Sequence, residues 1–156
     1  MKRLTISLLL LATLAACNNK PEPIEYGKDL CVSCKMTIMD KKFGAELINT
    51  KGKVIKFDSG ECMFAFLDAD EGFMPAKHLV ANYANPGELI EADKAFYLHG
   101  EHISSPMGGN LAAFKTIAEA EKFQKELSGN LILWDKVRQI DFYIVTTHSN
   151  YVIYYF

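Results

Sequence analysis

The chain has 156 residues, 49% of them hydrophobic and 23% charged, with a formal net charge of −2. That length suits one domain or two small lobes, and the composition is globular, neither fibrous nor low-complexity. The near-neutral balance gives no basic face for nucleic acid, so that class of partner is excluded.

The first element is a targeting signal. Lys2 and Arg3 form a positive start, residues 4–7 mix apolar and hydroxyl side chains, and residues 8–14 make an apolar core broken only by Thr13. The run is too short for an ordinary membrane-spanning helix. It ends in Leu14-Ala15-Ala16-Cys17, which resembles a bacterial lipobox. In such signals cleavage falls before the cysteine, and the cysteine carries the lipid. Residues 1–16 are therefore expected to be removed and Cys17 to be acylated. The remaining chain is then a membrane-anchored lipoprotein outside the cytoplasm, on the periplasmic side. Residues 17–29 read as its tether, because residues 18–23 hold two prolines and no apolar pattern.

Folded pattern runs over residues 30–137. Residues 43–49 and 53–57 are strand-like and flank Thr50-Lys51-Gly52, a hairpin signal. Asp58-Ser59-Gly60-Glu61 opens a helix, with Asp58 or Ser59 as cap and Glu61 placed as in a capping box. That helix is expected to bury Met63, Phe64, Phe66 and Leu67. A second unit follows. Residues 94–99 and 101–104 predict a hairpin turning at Gly100. Thr116-Ile117-Ala118-Glu119 is a capping box for a helix to Leu127, with Ile117, Ala120, Phe123 and Leu127 on one face. Gly129 is placed to end it, and residues 131–134 read as a buried strand. Two hairpin-then-helix units in tandem predict an α+β fold of two small ββαβ-like lobes, about residues 30–80 and 90–137. Residues 138–156 are rich in Tyr, Phe, Ile and Val, pattern for one more hairpin around Ser149-Asn150.

The chemistry concentrates in Cys31-Val32-Ser33-Cys34-Lys35-Met36. Two thiols and a thioether within six residues suit Cu(I), because polarizable sulfur matches a soft d10 ion. A structural disulfide between Cys31 and Cys34 and a zinc site compete with copper for the same run. Zinc wants four ligands, and Cys31, Cys34 and Cys62 supply three. A thioredoxin-like pair expects a helix starting inside the motif and a βαβ setting; here short strands follow. Ser105-Pro106-Met107-Gly108-Gly109-Asn110 is the second feature, since its glycines permit close backbone approach and unusual φ/ψ around Met107. Met107 is a candidate sulfur ligand, with core filling as its alternative. Cys62, beside Met63 on the first helix, is either a small buried hydrophobe or a third thiolate. His99 and His102 flank the second turn and are secondary metal candidates; His78 and His148 have no partner in sequence. No Ser-His-Asp pattern, phosphate loop or paired carboxylates point to catalysis.

Taken in order, Cys31-x-x-Cys34-x-Met36, Lys56-Phe57-Asp58-Ser59, residues 91–97, residues 106–114 and residues 131–135 resemble the NosL family over residues 30–137. The resemblance implies a non-enzymatic Cu(I)-binding lipoprotein that supplies copper for nitrous oxide reductase maturation. It implies two lobes like the N-terminal lobe of organomercurial lyase. It also implies handover to an acceptor, nitrous oxide reductase or its ABC-type membrane assembly complex. Carried over by position, Cys34 and Met36 match the family's Cys-x-Met, Met107 its Met-Gly loop, and Cys31 the first cysteine of the same motif. The chain departs in having Lys35 where the family commonly has glycine, Met-Gly-Gly where Met-Gly-Pro is expected, and an aromatic C-terminal extension. The rival readings are an extracytoplasmic thiol–disulfide oxidoreductase on Cys31 and Cys34, and a scaffold lipoprotein with a zinc-stabilised fold.

Overall fold

The computed structural model describes residues 20–70, 72–140 and 142, with the backbone alone at 145–146 and 151–152. The signal, Cys17, His148 and the turn at Ser149-Asn150 lie outside the described residues. Among those described, no helix is long and apolar enough to cross a membrane.

Two antiparallel sheets repeat one topology. In the first lobe, β1 (Ala45–Asn49) and β2 (Val54–Phe57) form the expected hairpin, with Gly52 at φ +81 in its turn. Helix α1 (Gly60–Ala69) follows, and β3 (Pro75–Ala81) returns to the other side of β1. A short β4 (Leu89–Glu91) extends this sheet, giving the order β2-β1-β3-β4. After a 3-10 turn at Ala92–Lys94, the second lobe runs β5 (Phe96–His99), β6 (Leu111–Phe114), α2 (Ile117–Leu127) and β7 (Asn130–Ile132), in the order β6-β5-β7. Each lobe is thus ββαβ with its first strand in the middle, and the α+β reading holds.

Sequence determines these elements through burial as well as turns. β1 carries Ala45, Leu47 and Ile48 into the core, while β2 alternates, burying Ile55 and Phe57. In α1 only the first turns are buried, through Met63 and Phe64; Phe66 and Leu67 are half-buried. Helix α2 has the expected box: the Thr116 hydroxyl accepts from Glu119 N–H at 3.2 Å and the Glu119 carboxylate accepts from Thr116 N–H at 3.0 Å. Along its predicted face Ala120 and Leu127 are buried, Phe123 is half-buried and Ile117 is exposed.

Four expectations are corrected. β5 pairs with β6, not with residues 101–104, so a long loop replaces the tight turn at Gly100. Gly100 instead permits close packing: a Cβ there would lie 2.6 Å from Gly129 Cα. Ser128, at φ +50, takes the left-handed cap position expected of Gly129. The strand at 131–134 ends at Ile132, and Trp134 starts a short helix, α3 (Trp134–Val137). Finally, ordered packing begins inside the expected tether, because Ile24 is buried in the core and Pro23 carbonyl accepts from Lys56 Nζ at 2.9 Å.

The lobes meet along a continuous seam. A parallel bridge joins Asn82 to Ala113, with Tyr83 N–H donating to Ala113 carbonyl at 2.8 Å. Phe64 of α1 packs edge-on to Tyr97 and Trp134 and stacks on Phe142. In the extension, β8 (Val145–Thr146) pairs antiparallel with β9 (Tyr151–Val152), the predicted terminal hairpin.

Candidate metal site

The Cys-x-x-Cys motif folds as a tight loop ahead of β1. Cys31 N–H donates to Met36 carbonyl at 2.8 Å, Lys35 N–H returns to Cys31 carbonyl at 3.0 Å, and Leu30 bridges Thr37 antiparallel. No helix begins within the motif, contrary to a thioredoxin-like setting. Lys35 sits at φ +67, a left-handed conformation that glycine adopts most readily, which gives physical sense to the glycine expected there. Val32 N–H donates to Lys56 carbonyl at 3.0 Å, pinning the loop to β2. Two residues after Lys56 the chain reaches Asp58, and the first turn of α1 then presents Cys62.

This route brings four side chains together. The sulfurs of Cys31, Cys34 and Cys62 and a carboxylate oxygen of Asp58 all lie within 4.8 Å of one another. All four are buried, none more than 2% exposed, and the three cysteines are free thiols, so the Cys31–Cys34 disulfide is not formed. The Cys34 thiol donates to Asp58 Oδ2 at 3.4 Å. Asp58 Oδ1 is buried without a hydrogen-bond partner among the described residues.

The electrostatics follow from that packing. Close contacts with the Cys34 and Cys62 thiols, with backbone N–H groups of Asp58 and Cys34 added to them, hold Cys31 far below the ordinary thiol range. The same contacts push Cys34 and Cys62 up, since a second and third charge would crowd the first. Burial raises Asp58 to about 6, partly offset by a hydrogen bond from Cys62. Three sulfurs packed this closely therefore disfavour more than one charge among them, and a cation entering the pocket would displace thiol protons.

The capping arrangement differs from the expected box and matters here. Ser59 is the N-cap, its hydroxyl accepting from Cys62 N–H at 3.4 Å, which fixes the backbone at Cys62. Glu61 is released from capping. Its fully buried carboxylate crosses to the second lobe, where Leu111 N–H donates to Oε1 at 3.3 Å and the Ser105 hydroxyl also bonds it. Gly109 makes room for this: a Cβ there would lie 2.4 Å from Glu61 Cγ. Gly108 is left-handed at φ +69, so both glycines of the Met107 loop have the roles expected of them.

Other candidates fall at different distances from the centre. Met107 is 6% exposed and belongs to the same buried apolar cluster as the three cysteines. Met36 lies opposite Cys31 in the loop and its N–H donates to the Cys34 sulfur, but the residue is 44% exposed. His99 is half-buried on β5, and His102 is exposed in the following loop. Sequence reading missed Asp58, which it read only as a cap. The available signal was Asp-Ser-x-x-Cys at a helix start, which sets Asp58 just before the cap and Cys62 in the first turn.

A family model described as NosL matches residues 24–141. The fold resembles the crystal structure of the copper chaperone NosL from Shewanella denitrificans, with a TM-score of 0.65 and 24% identity over 78% of this chain and 97% of that one. At that identity the likeness speaks for the fold. Among curated protein sequences none matches the chain.

Proposed function

The chain belongs to the NosL family, and on that premise we propose that it is a metallochaperone that holds Cu(I) and passes it to an acceptor protein outside the cytoplasm. The observation that carries this reading is the convergence of Cys31, Cys34 and Cys62 within 4.8 Å in a buried pocket. Three thiolates in a buried site suit a soft d10 cation at low coordination number. The thioethers of Met36 and Met107 are its proposed companions. Met36, half-exposed at the rim, gives copper a first step outward, and Met107 offers a sulfur from the second lobe. His99 and His102 are outer stations at most. Release proceeds by stepwise exchange of sulfur ligands with those of the acceptor, with no change in oxidation state.

The copper is destined for nitrous oxide reductase or its ABC-type membrane assembly complex, as the resemblance implies. The acylated Cys17 holds the chain to the membrane surface, on the periplasmic side. The motif folds as a loop in which no helix begins, which speaks against the oxidoreductase reading.

The test is a titration of the reduced protein with Cu(I) against a competing chelator. Tight 1:1 binding is expected, weakened by roughly a hundredfold or more in Cys34→Ser or Cys62→Ser, since each removes a direct ligand. Met36→Leu and Met107→Leu are expected to slow transfer to an acceptor more than they weaken binding. Unchanged Cu(I) affinity in both serine variants would defeat the reading.

A further inference from the structure

The loop ahead of β1 is a small hairpin with two faces. Leu30 bridges Thr37 antiparallel, Cys31 N–H donates to Met36 carbonyl at 2.8 Å, and Ile38 N–H donates to Asp29 carbonyl at 2.9 Å. Along such arms successive side chains point to opposite faces. The inner face carries Cys31 and Ile38, both fully buried. The outer face carries Lys28, Leu30 and Val32 on one arm and Lys35, Thr37 and Met39 on the other, all of them exposed. Leu30 and Met39 are 61% and 68% exposed, so two large apolar side chains stand in water close to the buried cysteines. None of the six residues is acidic. Lys28 pairs with Glu25 at the edge, at 3.1 Å, and Lys35 Nζ donates to Val32 carbonyl at 2.5 Å, which lays its ammonium across the tip.

The path of the chain before this hairpin points to what covers it. Pro23 carbonyl accepts from Lys56 Nζ at 2.9 Å, and Lys56 carbonyl holds Val32 N–H at 3.0 Å, so the chain enters the fold beside the hairpin. Cys17 lies six residues before Pro23, a reach of at most about 20 Å. We propose that the outer face of the hairpin is a membrane-docking surface. Leu30, Val32 and Met39 enter the headgroup region of a bilayer that contains anionic phospholipid, and Lys28 and Lys35 lie among its phosphates. The proposal rests on the lipoprotein reading of Cys17 and is independent of the copper reading. An acyl anchor holds the face over the bilayer at high effective concentration, so a surface of low intrinsic affinity suffices. Lysine lays its apolar stem along the hydrocarbon boundary and keeps its charge at the headgroups. A protein partner fits this face less well. Protein interfaces are enriched in aromatic residues and arginine and depleted in lysine, whereas these six residues include two lysines, no aromatic and no arginine.

The experiment uses the mature chain purified from membranes and reconstituted into vesicles. These are phosphatidylcholine alone or with about one-third phosphatidylglycerol, each doped with lipid brominated near the headgroup, which quenches tryptophan on contact. Met39→Trp puts a reporter on the outer face. Ile117→Trp, at an exposed position of α2 in the second lobe, is the control. Both are made with Trp134→Phe, and circular dichroism confirms that each folds. In the anionic vesicles the reporter at position 39 should shift to the blue and lose about half its emission or more, while the one at position 117 keeps nearly all of its own, about nine-tenths. Adding Lys28→Glu and Lys35→Glu, or raising the salt, should return position 39 to the control's value. Mass spectrometry of the same samples reads acylation at Cys17. An acylated chain quenched no more at position 39 than at position 117 overturns the docking surface and leaves the anchor standing. A mature chain without acyl groups sinks the anchor reading, and the proposal with it. If aqueous iodide reaches position 39 on vesicles but not in native membranes, the face belongs to a protein partner, which also overturns the proposal.

Discussion

Lys35 stands where the backbone has φ +67, between two residues of the metal loop. A side chain there costs about 1–2 kcal/mol, while glycine carries an entropic penalty of roughly 0.5–1 kcal/mol. Lys35→Gly should therefore leave stability unchanged or raise it by up to about 1 kcal/mol, and Lys35→Val should lower it; denaturant midpoints decide. Glu46 of β1 poses a different problem. Its side chain is fully buried and neither oxygen has a hydrogen-bond partner among the described residues. Burial, opposed by the charge of Lys56, raises its pKa from 4.5 to about 7. The folded state thus holds this proton more tightly than the unfolded chain does. The group costs nothing below pH 4.5, increasingly destabilises the fold as pH climbs to about 7, and is constant beyond. Glu46→Gln should match the parent at pH 4 and exceed it at pH 8 by about 3 kcal/mol at most. Asp29 and Glu88, whose pKa values are lowered by Lys56 and Lys115, contribute stability that is lost only below their ordinary range, so the comparison between parent and variant isolates Glu46. Equal pH profiles for the two would refute the assignment.

At the scale of elements, Glu61 ties α1 to the end of the loop bearing Met107. Glu61 accepts from Leu111 N–H, and Gly109 lies so close that an added methyl would meet Glu61 Cγ at 2.4 Å. Gly109→Ala must displace one or the other, at a cost of about 1–3 kcal/mol. In a Glu61→Ala background most of that cost should vanish, because the clashing atoms are gone. A double-mutant cycle measures this, and additive effects would show that the loop docks elsewhere. Local signals served well for such elements where they were chemical. The Thr116–Glu119 box located α2, and Gly52 located the first hairpin. They misled where one residue type has two uses. Gly100 looked like a turn and Gly129 like a cap, but they are needed because two backbones touch there. Glu61 looked like a capping carboxylate because its spacing from Asp58 fits, and only the second lobe, fifty residues on, shows what it binds.

The metal pocket belongs to the whole molecule, which is why sequence revealed it in part. Spacing alone exposed Cys31 and Cys34. Adding Cys62 and Asp58 requires the β1–β2 hairpin to carry the chain out and back, so that Lys56 pins the loop and the start of α1 faces it. Hydropathy contains no record of that return. The same architecture predicts that metal in the first lobe is felt in the second. Phe64, two residues beyond Cys62, packs against Tyr97 and Trp134, with ring centroids 6.4 and 5.7 Å away. Trp134 is the one tryptophan of the chain, so its fluorescence reports the seam and the second lobe. A ligand present at a thousand times its dissociation constant adds about 4 kcal/mol to the folded state, which for a domain of this size raises Tm on the order of 10 °C. Cu(I) loading should move the far-ultraviolet melt and the Trp134 melt by equal amounts, as one transition, and Cys62→Ser should abolish both shifts. A Trp134 melt that stays in place while the far-ultraviolet midpoint rises would mean that the aromatic seam does not couple the lobes. Copper held in the first could then not govern how the second, with Met107, is presented to an acceptor.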